Sequence, residues 1–408
     1  MAETKMTTYN EKDLPSHTPM NWSLKEIRDA IPSHLFVRRL HLSTLYLARD
    51  LLLAITLGLL ATLIDPYFEK LATFHVLNSW SAEMLRFIVW VTYWWYQGLV
   101  LTGLWVIGHE CGHGAFSSYR LLNDILGLLI HSSLFTPYFS WKISHHRHHV
   151  NHASMENDEV YIPKTRGDLR IPDERPNETI NYEEIFSDTP IYTLFMLIRQ
   201  QLFAFPAYLS YNVSGQKYYP KWTNHFDPSS VIFFCSQRNA VILSNIGMVL
   251  MVFITTSICA ECGIWNVWRY YGIPWLEVNH WFVMITYLHH TDPILPHYRK
   301  NKWNYPRGAA ATVDRDFLGW HGRFFFHDVA HFHVIHHFFP KIPFCGPSSV
   351  TAANISEIIP DNGEEATQYL KAFIGEHYNF SDKPVFRTLW DNYNNCQFVD
   401  NNGMFLHP

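Results

Sequence analysis

The chain has 408 residues, 48% hydrophobic and 16% aromatic, but only 16% charged. Ordinary soluble domains carry about 25% charge, so the deficit and the long apolar runs point to a membrane protein. A net charge of -5 gives no reason to expect a nucleic-acid partner, and six cysteines make no disulfide framework. Cys259 and Cys262 form a CxxC without a second pair, which reads as chance at a helix end. The 25 histidines are the anomaly, and they cluster.

Met1 to Ser33 is polar, so the first membrane helix is expected to act as the targeting signal. Ser23-Leu24-Lys25-Glu26 has the form of a capping box and predicts a short surface helix over 24–31. Residues 43–64 are long and apolar enough for a first span, with Arg49 and Asp50 tolerated near its start by snorkelling or pairing. Residues 85–107 make a second span, and the short connection over 65–84 joins the two as a hairpin. The stretch 122–140 is apolar but broken by Ser, Thr and Pro, and predicts a re-entrant or interfacial helix. The stretch 189–211 carries Arg199, Gln200 and Gln201 at its centre. A charge there costs a few kcal/mol in a span, so an interfacial helix is expected. Residues 239–259 and 271–288 form a second hairpin of spans.

The predicted architecture is all-α and integral to the membrane: four transmembrane helices in two hairpins, interfacial helices and a histidine-rich cap. Its parts are an N-terminal segment (1–42), a membrane domain (43–340) and a C-terminal segment (341–408). Four spans return the chain to its starting side, so all histidine clusters share one face with both termini. Lys25, Arg28, Arg38, Arg39, Lys142 and Arg147 lie on that face, against Lys70 and Arg269 opposite, which makes it cytosolic.

Three clusters carry the chemistry. His109 and His113 are spaced i, i+4; His145, His148 and His149, like His333, His336 and His337, are spaced i, i+3, i+4. Each spacing sets its imidazoles on one helical face. A zinc site needs three or four ligands, so eight imidazoles suit two metal ions. Imidazole accepts Zn, Cu, Fe and Ni, and ligand type alone does not choose among them. A redox metal fits a site beside unactivated acyl C–H bonds, whose cleavage needs oxygen chemistry that side chains cannot supply.

His-Glu-Cys-Gly-His (109–113), His-His-Arg-His-His (145–149) and His-Val-Ile-His-His (333–337) resemble the three histidine boxes of the membrane fatty-acid desaturase family. Thr286 to Tyr298, Arg307-Gly308, Thr312 to Arg315, Ala30 to His34, Pro206 to Tyr208 and Trp222 to His225 resemble the acyl-lipid Δ12/ω-3 desaturases of fungi and plants. The resemblance runs over roughly residues 24–400. It implies a di-iron site of two Fe ions using O2, with His109, His113, His145, His148, His149, His333, His336 and His337 as ligands. His290 is a further ligand carried outside the boxes, with His289 as its alternative. It also implies an acyl-lipid or acyl-CoA substrate, and cytochrome b5 with its reductase as separate donors, since His407-Pro408 is the only His-Pro pair. The expected location is the endoplasmic reticulum membrane; a homo-oligomer is left open.

Δ12 desaturation of oleoyl to linoleoyl lipid is the first expectation, an ω-3 desaturase the second, and a hydroxylase, epoxygenase or conjugase the third. A membrane metal-handling protein would place polar residues inside the spans, and a zinc hydrolase would leave most of the histidines unexplained. His146, His152, His297, His327 and His331 are expected outside the ligand set. Glu110, Glu156, Asp158 and Asp328 are candidate acceptors for the ligands' outer N–H groups. Cys111 is expected to pack. Trp90, Tyr93, Trp94, Trp95 and Tyr96 either line an acyl tunnel or form a lipid-facing belt.

Overall fold

A computed structural model describes residues 20–172, 189–344, 362–401 and 405–406. Serine capping opens α1 (Leu24–Asp29): the Ser23 side chain accepts from Glu26 N–H and the Glu26 carboxylate accepts from Ser23 N–H, the reciprocal box expected there. Then come α2 (Leu40–Ala61), α3 (Ile64–Thr73), α4 (Ser79–His113), α5 (Arg120–Ser133), α6 (Tyr138–Asn151), α7 (Pro190–Tyr211), α8 (Arg238–Cys262) and α9 (Ile273–His290). Shorter helices in the C-terminal part include α10 (Tyr305–Ala310), α11 (Trp320–Phe325), α12 (His333–Phe338), α13 (Asn362–Ile374) and α14 (Val385–Asn395). Two small strand pairs tie the chain ends to the cap. β1 (His297–Tyr298) pairs antiparallel with β4 (Phe405–Leu406), and β2 (Asp314–Arg315) pairs parallel with β3 (Phe380–Ser381).

Two helical stretches among the described residues, Leu40–Thr73 and Cys235–Cys262, are long and apolar enough to cross a bilayer, and most of their surface faces outward. The expected span 85–107 falls within α4 and most of 271–288 within α9; where these helices meet they form interior, Leu99 and Val100 packing with Trp281, Met284, Ile285 and Leu288. The stretch 122–140 is not one helix; it breaks at Leu134 between α5 and α6. Residues 189–211 are a single helix, closed by Asn212 in the left-handed region at φ 50°.

Close helix approach depends on glycine at two points of α4. A Cβ at Gly108 would meet the His131 ring of α5, and one at Gly103 would meet the Phe325 carbonyl and Asp50. Asp50, 2% exposed, does find the pairing expected of it. Arg49 Nε donates to its Oδ1 at 2.8 Å, and His327 Nε2 lies 2.8 Å from its Oδ2. The C-terminal residues are not an appendage. Ala366, Leu370 and Ile374 of α13 share an apolar cluster with Ile27 and Ile31 near the start and with Val334 and Ile335 of α12.

Candidate metal centre

Four helix segments converge on one polar cluster. The last turn of α4 presents His109 and His113, α6 presents His145, His148 and His149, α9 ends on His290, and α12 presents His333, His336 and His337. Helical spacing puts each set on one face; packing of the four segments brings the faces together. His109 Nε2 lies 2.9 Å from His145 Nε2 and 3.2 Å from His113 Nε2, and His149 Nε2 lies 3.1 Å from His145 Nε2. With His336 these make a first group whose ligand atoms all lie within 4.8 Å of one another. In a second group, His290 Nε2 is 3.4 Å from His148 Nε2 and 3.3 Å from His333 Nε2. The His337 ring sits 4.8 Å from both the His290 and His333 rings.

The protons decide what these groups can hold. Burial, and then neighbouring imidazoles, push His113, His145, His149, His290, His336 and His337 well below the usual histidine range. Two ring nitrogens about 3 Å apart either share a proton in a hydrogen bond or, when both are bare, repel unless a cation lies between them. His336 Nε2 and both ring nitrogens of His337 are buried with no hydrogen-bond partner, a state that costs about 1–3 kcal/mol per group if nothing fills it. The residues fit metal ions: all-imidazole donor sets, buried, with unfilled lone pairs converging.

Carboxylates stand behind one histidine of each group. Glu110 Oε1 is 2.9 Å from His109 Nδ1, and Asp158 Oδ1 is 3.0 Å from His148 Nδ1. Burial opposes ionisation of Asp158, but His148 and its hydrogen bonds hold it below the ordinary carboxylate range. Such partners fix ring orientation and tautomer. The other two expected acceptors do not serve: Asp328 pairs with Arg323 at 3.0 Å and Glu156 with Arg299 at 3.5 Å. His289 Nδ1 and Nε2 both lie against backbone carbonyls, of Ile285 at 2.6 Å and Ala330 at 2.7 Å, so His290 is the one turned into the group. His152 makes a further candidate group with His148 and His337; its Nε2 is taken by the Ala311 carbonyl at 2.9 Å, and its Nδ1 lies 3.6 Å from Asp158 Oδ2. His146 is exposed, and Cys111 packs among Ile107 and Phe116 as expected.

A family model described as fatty acid desaturase matches residues 87–364, a stretch that contains the nine histidines of the site. The chain belongs to the fatty acid desaturase family. A Delta(12) fatty acid desaturase of Mortierella isabellina is 38% identical over 390 residues, covering 94% of this chain and 89% of its own. An oleate hydroxylase of Claviceps purpurea is 38% identical over 403 residues, covering 94% and 78%. A Delta(12) acyl-lipid conjugase of Momordica charantia is 37% identical over 385 residues, covering 94% and 86%.

In this desaturase both histidine groups open on one cavity of about 190 Å³, reached by His109, His145, His148, His290 and His333. Its walls are Trp105 of α4, Trp141 of α6, Ala204, Phe205 and Tyr208 of α7, and Phe282 and Val283 of α9. Trp141 stacks on His145 with ring centroids 4.4 Å apart. None of these wall residues was singled out as cavity lining from sequence. The apolar stretch 189–211 held part of the signal, since polar interruptions in an apolar helix mark a side that faces something other than lipid. Conversely, the stripe Trp90 to Tyr96 does not line this cavity. Trp90 and Tyr93 are buried against α3 and Tyr270, and Trp95 packs edge-on against Trp281.

Proposed function

We propose that the protein introduces a cis double bond into the acyl chain of a membrane lipid, most simply at the Δ12 position of an oleoyl chain. The observation that carries this reading is the single apolar cavity that reaches both histidine groups. The proposed ligands are His109, His113, His145, His149 and His336 for one iron, and His148, His290, His333 and His337 for the other. Bound iron supplies the activation of O2 that C–H cleavage requires. The chain's own residues do the rest. Trp105, Phe205 and Phe282 exclude water and bend the acyl chain within the cavity, which limits the methylenes that can approach. Glu110 and Asp158 accept the outer N–H protons of His109 and His148 and so keep their Nε2 atoms free. Two electrons per double bond come from cytochrome b5 as a separate protein.

The membrane arrangement belongs to the same reading: α2, α4, α8 and α9 span, the histidine cap and both termini are cytosolic, and the location is the endoplasmic reticulum. Hydroxylation is the second reading, favoured by one observation: an oleate hydroxylase matches this chain at the same 38% identity as a desaturase does. Expression in a yeast without polyunsaturated fatty acids, with mass spectrometry of its lipids, separates them. A new dienoic acid unsaturated at carbon 12 supports the proposal. A hydroxy acid instead transfers it to the second reading, and a product only when linoleate is supplied indicates the ω-3 position.

A further inference from the structure

The two histidine groups are held in different ways. Four of the five residues of the first group come from the long helices α4 and α6. The second takes only His148 from α6; His290 is the last residue of α9, and His333 and His337 come from α12, which has only six residues. A helix that short is not stable by its own hydrogen bonds. Some other part of the chain must hold it.

Thr312 to Arg315 lies between the two elements, and all four residues are fully buried. On one side it bonds the end of α9. Thr312 Oγ1 donates to the His289 carbonyl at 2.7 Å, and Arg315 Nε donates to the Leu288 carbonyl at 2.9 Å. Carbonyls of a last helical turn have no partner within the helix, and here two of them are engaged beside His290. The Arg315 guanidinium is itself anchored, with Nη2 2.7 Å from Asp292 Oδ2. On the other side Asp314 bonds the start of α12: Oδ1 accepts from Val334 N–H at 2.7 Å, and Oδ2 accepts from the Tyr378 hydroxyl at 2.6 Å. The pairing of β2 with Phe380–Ser381 fixes the same segment to the C-terminal part of the chain.

We propose that Asp314 and Arg315 are positioning residues that set His290 against His333, and that Tyr378 makes the C-terminal segment a part of the second metal pocket. The inference rests on the two-metal reading above. Arg315 holds the end of α9 and Asp314 holds the beginning of α12, so the Nε2 pair 3.3 Å apart depends on adjacent residues that touch no ligand atom. Weakening this clamp loosens the second metal more than the first, because His290, His333 and His337 lie on the clamped elements, whereas of the first group only His336 does.

The test is metal content of the purified full-length protein, measured by elemental mass spectrometry beside thermal unfolding. The variants are Asp314→Ala, Asp314→Asn, Arg315→Lys and Tyr378→Phe. The wild type is expected to hold about two irons per chain, and Asp314→Ala about one. Asp314→Asn keeps an acceptor for Val334 N–H and should restore part of the loss. Lys cannot make the paired contacts of a guanidinium, so Arg315→Lys should fall between one and two. Tyr378→Phe removes one hydrogen bond at the edge. It should keep both metals but lose the second to a chelator roughly tenfold faster, the scale of one such bond. Two irons retained in Asp314→Ala at unchanged melting temperature overturns the proposal, as does loss of both irons together. If Asp314→Ala fails to fold, an unchanged chelation rate in Tyr378→Phe overturns it. A wild type without metal overturns the two-metal reading itself.

Discussion

The two ends of α4 are built from the same kind of residue and do opposite things. At one end Trp90 Nε1 donates to Asp65 at 3.0 Å, the Tyr93 hydroxyl donates to the Tyr270 carbonyl at 2.8 Å, and Trp94 Nε1 donates to the Arg269 carbonyl at 2.9 Å. Asp65 is itself paired with Arg269 at 2.7 Å. Each of these polar groups meets a partner of complementary kind, so this end holds helices together. At the other end His109, His145 and His113 point ring nitrogens at one another, and His336 Nε2 has no partner. Buried polar groups are normally satisfied. An end where such groups converge can hold a metal ion.

The largest expected effect that sharpens this contrast is at the histidine end. His336→Ala should abolish the lipid product and lower iron content, measured on membranes and on purified protein. Removing iron with a chelator should also lower the melting temperature, because metal affinity contributes directly to folding stability. Next, Ala204→Trp fills the cavity without touching a histidine. It should cut product formation at least tenfold, the scale on which misplaced reacting groups lose rate, with iron content unchanged. Normal turnover would break the assignment of this cavity as the acyl site.

A smaller effect depends on pH. His225 Nε2 sits 3.1 Å from both Ser144 Oγ and Tyr208 Oη, beside the cavity, and burial pushes its pKa down to about 4. The unfolded chain takes up that proton near pH 6.5 and the folded one only near pH 4. Stability is therefore full above about pH 6.5 and falls by about 3 kcal/mol as pH drops to 4. His225→Gln should flatten that part of a melting-temperature profile. The smallest effect belongs to the aromatic end. Trp90→Phe loses one hydrogen bond, about 1 kcal/mol, and should lower the melting temperature by a few degrees with the product unchanged. A changed product would return the stripe to the substrate path.

Much of the site was legible because its signals are local. The spacings in 109–113, 145–149 and 333–337 fix which faces the imidazoles share in any helix, and the capping box at Ser23 and Glu26 needs only four residues. The choice between His289 and His290 was not legible. It depends on the Ala330 carbonyl, 41 residues away along the chain, reaching His289 Nε2. Nor could Glu110 and Asp158 be told from Glu156 and Asp328, since all four are acidic residues within a short reach of some histidine in sequence.

What the sequence determined by itself is the content of the site: three histidine sets of helical period, apolar lengths fit for a membrane, and membership of one family. Only the tertiary structure decided how that content is used. It brought the nine imidazoles into neighbouring groups, made a wall of Trp105, Trp141 and Phe205, buried Trp90 and Tyr93, and set Thr312–Arg315 between α9 and α12. The physical reason is range. Periodicity and capping act over one or two turns, whereas a metal pocket and a cavity wall are contacts between segments whose separation only packing sets.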